Sequence, residues 1–105
     1  MTNIFDIAGG VRSGHEHIDT LFADRRLTIE RIVSVGHQTP KQDWYDQAQD
    51  EWVAVLQGEA VLTFDDGGDV HVGRGEWTFI PAHRKHRVAR TSVDPACIWL
   101  ALHFR

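Results

Sequence analysis

The 105-residue chain contains a single cysteine, Cys97, which excludes an internal disulfide and any zinc site built from several thiolates. It has no apolar run approaching the roughly 20 residues that a membrane-spanning helix requires. Its opening residues, Met1-Thr2-Asn3-Ile4-Phe5-Asp6, lack the basic flank and apolar stretch of a secretory leader, so a cytoplasmic location with no membrane partner is expected. Cations are in the minority, 11 Lys and Arg against 15 Asp and Glu, and a net charge of −4 argues against nucleic acid as the main partner. Helical periodicity is equally scarce: only His17 to Ala23 has a spacing that suits a short helical turn. A domain this small with no disulfide must be held together by packing, a metal or self-association.

What is present is β-strand chemistry, with a surplus of seven His and four Trp. Leu27, Ile29, Val33 and Val35 fall on one parity, interrupted by Arg31. Short β-rich runs follow at Trp52 to Leu56, Ala60 to Phe64, Val70 to Val72, Trp77 to Ile80, His86 to Arg90 and Ile98 to Phe104. Turn-forming sequences separate them, among them Gln57-Gly58-Glu59, Asp65-Asp66-Gly67-Gly68-Asp69 and Gly73-Arg74-Gly75-Glu76. This spacing predicts an all-β sandwich or barrel in one domain, residues 1–105, with residues 1–25 as a flanking strand or arm. Gly36 to Asp50 has no clear strand yet holds Trp44, Tyr45, Asp46 and Gln47; a long irregular segment in a small domain is the first place to look for a site.

The order of residues from 36 to 90 resembles the motif core of the cupin superfamily. Gly75, five residues, Pro81 and then His86 follow the second cupin motif, with His83 in place of its glycine and Arg90 in place of its closing Asn. Glu51, six residues and Gly58 follow the second half of the first motif. The His-x-His that should precede Glu51 is absent: one register puts Tyr45 and Gln47 there, the other Trp44 and Asp46. Trp44-Tyr45-Asp46-Gln47 followed by Asp50-Glu51-Trp52 also looks like a group of small bacterial cupins of undetermined role. The resemblance implies an antiparallel jelly-roll barrel in which Glu51 and His86 point inward.

It further implies a divalent transition metal, Mn, Zn, Ni or Fe, held by Glu51 and His86 with Gln47 preferred as third ligand and Asp46, His83 and His103 as lesser candidates. In strand parity Arg90 shares the face of His86 and would hold an anionic substrate, with Arg31 either inward or tied into an ion pair. Trp44 and Tyr45 would wall the ligand pocket, and Glu51 or Tyr45 would move protons. His103 reaches the cavity only if Trp99 and Ala101 face inward, whereas His15, His17, His37 and His71 are expected to be solvated. Trp52, opposite in parity to Glu51, should lie on an outer face that pairs in a homodimer. The expected activity is metal-dependent isomerase, lyase or hydrolase chemistry on a small anionic organic molecule, rather than dioxygenation. The alternatives are a non-catalytic small-molecule binding module and, with no dedicated segment for it, a structural partner of another protein.

Overall fold

A computed structural model describes residues 2–105. Eight strands follow one another along the chain: β1 (His15–Ala23), β2 (Leu27–Val35), β3 (Asp50–Gln57), β4 (Glu59–Phe64), β5 (Gly68–Gly73), β6 (Trp77–Ile80), β7 (His86–Thr91) and β8 (Cys97–Phe104). They form a five-stranded sheet in the order β1-β2-β8-β3-β6 and a three-stranded sheet in the order β5-β4-β7, with every pairing antiparallel. This is the jelly-roll barrel that the sequence implied. His17 to Ala23 is strand rather than helical turn, because His17, Ile18 and Asp19 pair in register with Val33, Ile32 and Arg31 of β2, and that ladder outweighs a weak local periodicity.

The alternation within each strand decides what lies between the sheets. In β4, Ala60, Leu62 and Phe64 are buried while their neighbours are half-exposed. They pack with Val53, Val55, Val72, Ile80, Val88, Cys97, Trp99 and Ala101 in one core. Each large apolar side chain buried there contributes about 1.5–3 kcal/mol. In β2, Ile32 packs against this core, which places Glu30 and Ser34 on the inner face and Arg31 on the outer one. The more apolar parity of β2 is therefore the outer parity, and Arg31 is not inward. It pairs with Asp19 and donates from Nη1 to the carbonyls of Ile4 and Asp6, at 3.1 and 2.6 Å, so it fastens the N-terminal arm to β1 and β2.

Two local irregularities set up the site. The β4–β7 register shifts between Val61 and Leu62: Leu62 faces Val88 but Val61 faces Arg90, leaving Ala89 as an extra residue. Such a bulge reverses parity beyond it. Thr91 becomes the buried residue and Arg90 turns outward, where it pairs with Glu59. The second is the turn into β7. His83 takes φ 64°, the left-handed conformation that the motif's glycine would supply without strain, and its backbone N–H donates to the carbonyl of Gln47 at 2.7 Å.

Candidate functional site

The segment before β3 runs along β7 as an irregular extra strand. Tyr45 N–H donates to the His86 carbonyl at 2.7 Å and His86 N–H to the Tyr45 carbonyl at 3.2 Å, a single antiparallel bridge. This bridge fixes the register that the sequence left open. Tyr45 and Gln47 face inward; Trp44 and Asp46 face out. Asp46 is bound to the exposed His83 ring at 2.7 Å, and Trp44 lies against the Arg87 guanidinium, 5.5 Å from the ring centre. Neither Asp46, His83 nor Trp44 lines the cavity, and Arg90 is excluded by the bulge.

A cavity of about 150 Å³ opens between the sheets, with space for on the order of ten waters. Tyr45, Gln47, Glu51, His86 and His103 line it together, which gathers most of the expected site residues. Glu16 from β1, Glu30 from β2 and Trp99 from β8 complete its polar and aromatic wall. Glu16 and Glu30 were not legible in the sequence, since the strand or arm expected in residues 1–25 had no alternation to orient it and the apolar parity of β2 pointed the wrong way. His103 does reach the cavity, because Trp99 and Ala101 face the core.

Glu51 and His86 form the centre of this wall. The antiparallel register places Glu51 between His103 on β8 and Ile80 on β6. The His86 ring sits between those of Tyr45 and Phe64, centroids 5.6 and 5.9 Å away, and its Nδ1 lies 2.9 Å from the Arg84 carbonyl. A carbonyl can only accept, so Nδ1 carries a proton and Nε2 is turned to the cavity. Nε2 stands 3.6 Å from Glu51 Oε1, an ion-pair separation too long for a hydrogen bond. Glu51 is 7% exposed and its Oε1 has no hydrogen-bond partner. An unpaired carboxylate oxygen at that depth is costly unless something with a positive or donating atom meets it.

Around this pair the wall is held by further carboxylate–imidazole contacts. His103 Nε2 lies 3.1 Å from Glu30 Oε1 and 3.8 Å from Glu51 Oε2. Glu16 Oε2 accepts from the Ser34 hydroxyl at 3.5 Å, and the same hydroxyl oxygen accepts from Trp99 Nε1 at 3.1 Å. Behind Glu16, His37 Nε2 is 3.6 Å from Oε1. That ring is largely covered rather than solvated, whereas His17 and His71 are more than half exposed.

Burial of His86 opposes its positive charge, but Glu51 and the Arg84 carbonyl together outweigh it and raise the imidazole above its ordinary value of 6.5. A base whose folded value is raised adds stability below its unfolded value, and that stability is lost as pH climbs through the folded value. The deficit of His86→Gln against wild type in thermal melts should therefore be largest below pH 6.5 and shrink above it. A deficit that grows with pH would reverse the assignment.

The sequence model of the Cupin domain family matches residues 31–103. The chain is a cupin. A Ralstonia eutropha protein provisionally named a mannose-6-phosphate isomerase is 37% identical, over 99% of this chain and 96% of that one, with a TM-score of 0.87. A cupin superfamily protein from Desulfitobacterium hafniense is 22% identical over 90% of this chain and 82% of its own, TM-score 0.76, and shares the fold. So does a Bordetella pertussis cupin domain, 17% identical over 91% of this chain and 99% of that one, TM-score 0.68. No curated protein matches.

The divalent metal implied by the family meets a poorer donor set here than two leading histidines would give. A catalytic transition-metal site of this kind takes three protein ligands. Here the family's two leading histidines are Tyr45 and Gln47 and His103 Nε2 is engaged by Glu30, so beside Glu51 Oε1 and His86 Nε2 the third ligand expected from the sequence is the neutral amide oxygen of Gln47, a weaker donor than an imidazole. Among the described residues, no group of three or more His, Cys, Asp and Glu is placed to hold one ion. Nor does any Lys or Arg line the cavity, so the anionic ligand expected from an inward Arg90 loses its partner.

Proposed function

We propose that this cupin binds a small organic molecule in the barrel and moves a proton on it, with Glu51 as base and His86 as acid. The observation that carries the reading is the orientation of His86: Nδ1 bound to the Arg84 carbonyl, Nε2 facing the unpartnered Oε1 of Glu51. A ligand seated in the cavity against both can give a proton from carbon to Glu51 and receive one on oxygen from the His86 imidazolium. Reversal on the neighbouring carbon completes an isomerisation, and loss of a leaving group completes an elimination. Tyr45 and Gln47 are placed to orient the ligand, and the apolar wall of Val53, Leu62 and Val88 excludes water from it.

Incubating the protein in deuterated water with a panel of small carbonyl compounds tests this by the loss of carbon-bound proton signals. At least one compound should exchange, and Glu51→Gln should slow that exchange by about a hundredfold or more while the circular dichroism spectrum is unchanged. Binding without any exchange across the panel would leave a non-catalytic binding module instead.

We also infer a homodimer, the partner being a second copy seated on the outer face of the five-stranded sheet. Trp52 lies tilted against Trp77 there, centroids 5.9 Å apart, and Phe79 tilted against Phe104 at 6.2 Å. Trp77 is 62% exposed and Phe79 43%. A flat aromatic face of this kind on one sheet is self-complementary across a two-fold axis. Trp77→Asp should convert a dimer to a monomer in sedimentation velocity at micromolar concentration. A wild-type monomer under the same conditions would remove the proposal.

A further inference from the structure

Carboxylates outnumber cationic groups on the wall of the cavity. Glu16, Glu30 and Glu51 line it, no Lys or Arg does, and the two imidazoles present, His86 and His103, each face a carboxylate. With both rings neutral the wall bears three negative charges, and with both protonated it still bears one. Protonation of His37, which stands behind Glu16, would bring the sum to neutrality. With the three carboxylates ionised, no protonation state of the imidazoles makes the wall positive.

A group of acidic residues would be unremarked on its own, since each could pair with a neighbour. Glu51 is paired only loosely: its buried Oε1 stands 3.6 Å from His86 Nε2 and has no hydrogen-bond partner, so a donor at hydrogen-bond distance must come from the ligand. Apart from Gln47 the rest of the lining is apolar or aromatic, Ile32, Leu62 and Val88 among others, with the rings of Tyr45 and Trp99 at the wall. Apolar side chains suit the carbon of an organic molecule rather than a hydrated ion, and ring faces attract a cation once water is removed.

We infer that the ligand is a small organic ammonium compound, whose nitrogen lies between the carboxylates and the aromatic rings with its carbon skeleton against the apolar wall. The inference rests on the reading that this cavity is the ligand site, and it sets this chain apart from a binder of phosphorylated or carboxylated molecules. The charge reads against a sugar phosphate, whatever the name carried by the Ralstonia protein.

Three probes of one shape separate charge from size: isopentylammonium, isopentanol and isovalerate. Each is titrated into the wild-type protein while the indole N–H signal of Trp99 and the backbone amide of Tyr45 are followed by nitrogen-15 NMR. Isopentylammonium should shift both signals and bind about tenfold or more tighter than isopentanol, a difference of about 1.4 kcal/mol. Isovalerate should leave both unmoved. In the Glu30→Gln, Glu51→Gln double variant the preference for the ammonium should disappear. If isopentanol or isovalerate shifts the same signals and binds as tightly as the ammonium, the ligand class is wrong and the site stands. If no probe moves either signal, both the class and the site are wrong.

Discussion

Replacing Trp99 by alanine is expected to lower the stability of the fold by about 4 kcal/mol, the largest effect expected of any single truncation in this core. Trp99 is 3% exposed and belongs to the core between the sheets. Its indole N–H donates to Ser34 Oγ at 3.1 Å, and Ser34 is itself fully buried. Removing the ring deletes its contacts and leaves a void that merges with the existing cavity, which water can enter. It also frees the Ser34 oxygen and loosens the hydroxyl that holds Glu16. Trp99→Phe keeps most of the apolar area and loses the indole donor with part of the ring, so it should cost about 1–2 kcal/mol. Urea melts of the two variants check this: comparable losses would mean that the hydrogen bond to Ser34, not packing, carries Trp99's contribution.

Gly58→Ala should cost about 3 kcal/mol, for two separable reasons. Gly58 closes the β3–β4 turn at φ 76°, a conformation that costs an alanine about 1–2 kcal/mol. A Cβ there would also stand 2.4 Å from Ser92 Oγ, 2.8 Å from the Ala96 carbonyl oxygen and 3.0 Å from Cys97 Cα. Ser92 Oγ could rotate away only by giving up the Glu59 N–H it accepts at 3.1 Å, and the other two atoms are backbone. Gly68 is the control, since it has φ 80° and nothing within 4 Å of an added Cβ. Gly68→Ala should therefore lose only the conformational part, about 1 kcal/mol. Midpoints differing by on the order of 10 °C between the two variants would fit a domain of this size. Equal midpoints would mean that the turn shifts to make room and that crowding contributes nothing.

How much of this was legible in the sequence follows from what alternation can and cannot record. Seven of the eight strands were readable, β2 by its alternation and the six after it as β-rich runs between turns, and β6, Trp77–Ile80, lies where the sequence placed it. Glu51, Gly58, Pro81 and His86 keep the family spacing, and Glu51 and His86 lie side by side on the cavity wall, 3.6 Å apart. What failed was parity wherever it depended on a ladder not visible along the chain. One extra residue at Ala89 reversed Arg90 and removed the expected anion anchor. In β2 the odd positions are the more apolar, yet they face out, so Glu30 inside was unreadable and Arg31 was given the wrong side. The His83 conformation was foreshadowed, since a residue that replaces a motif glycine must adopt the glycine's backbone or abandon the turn.

The proposed chemistry depends above all on His86 presenting Nε2 to the cavity opposite Glu51 while Nδ1 is held by the Arg84 carbonyl. Nitrogen-15 NMR of the His86 imidazole across a pH titration reads this arrangement. The ring should titrate above 6.5 and, on the basic side, be neutral with its proton on Nδ1. A ring that titrates below 6.5, or whose neutral form carries its proton on Nε2, would show that His86 is not poised in this way.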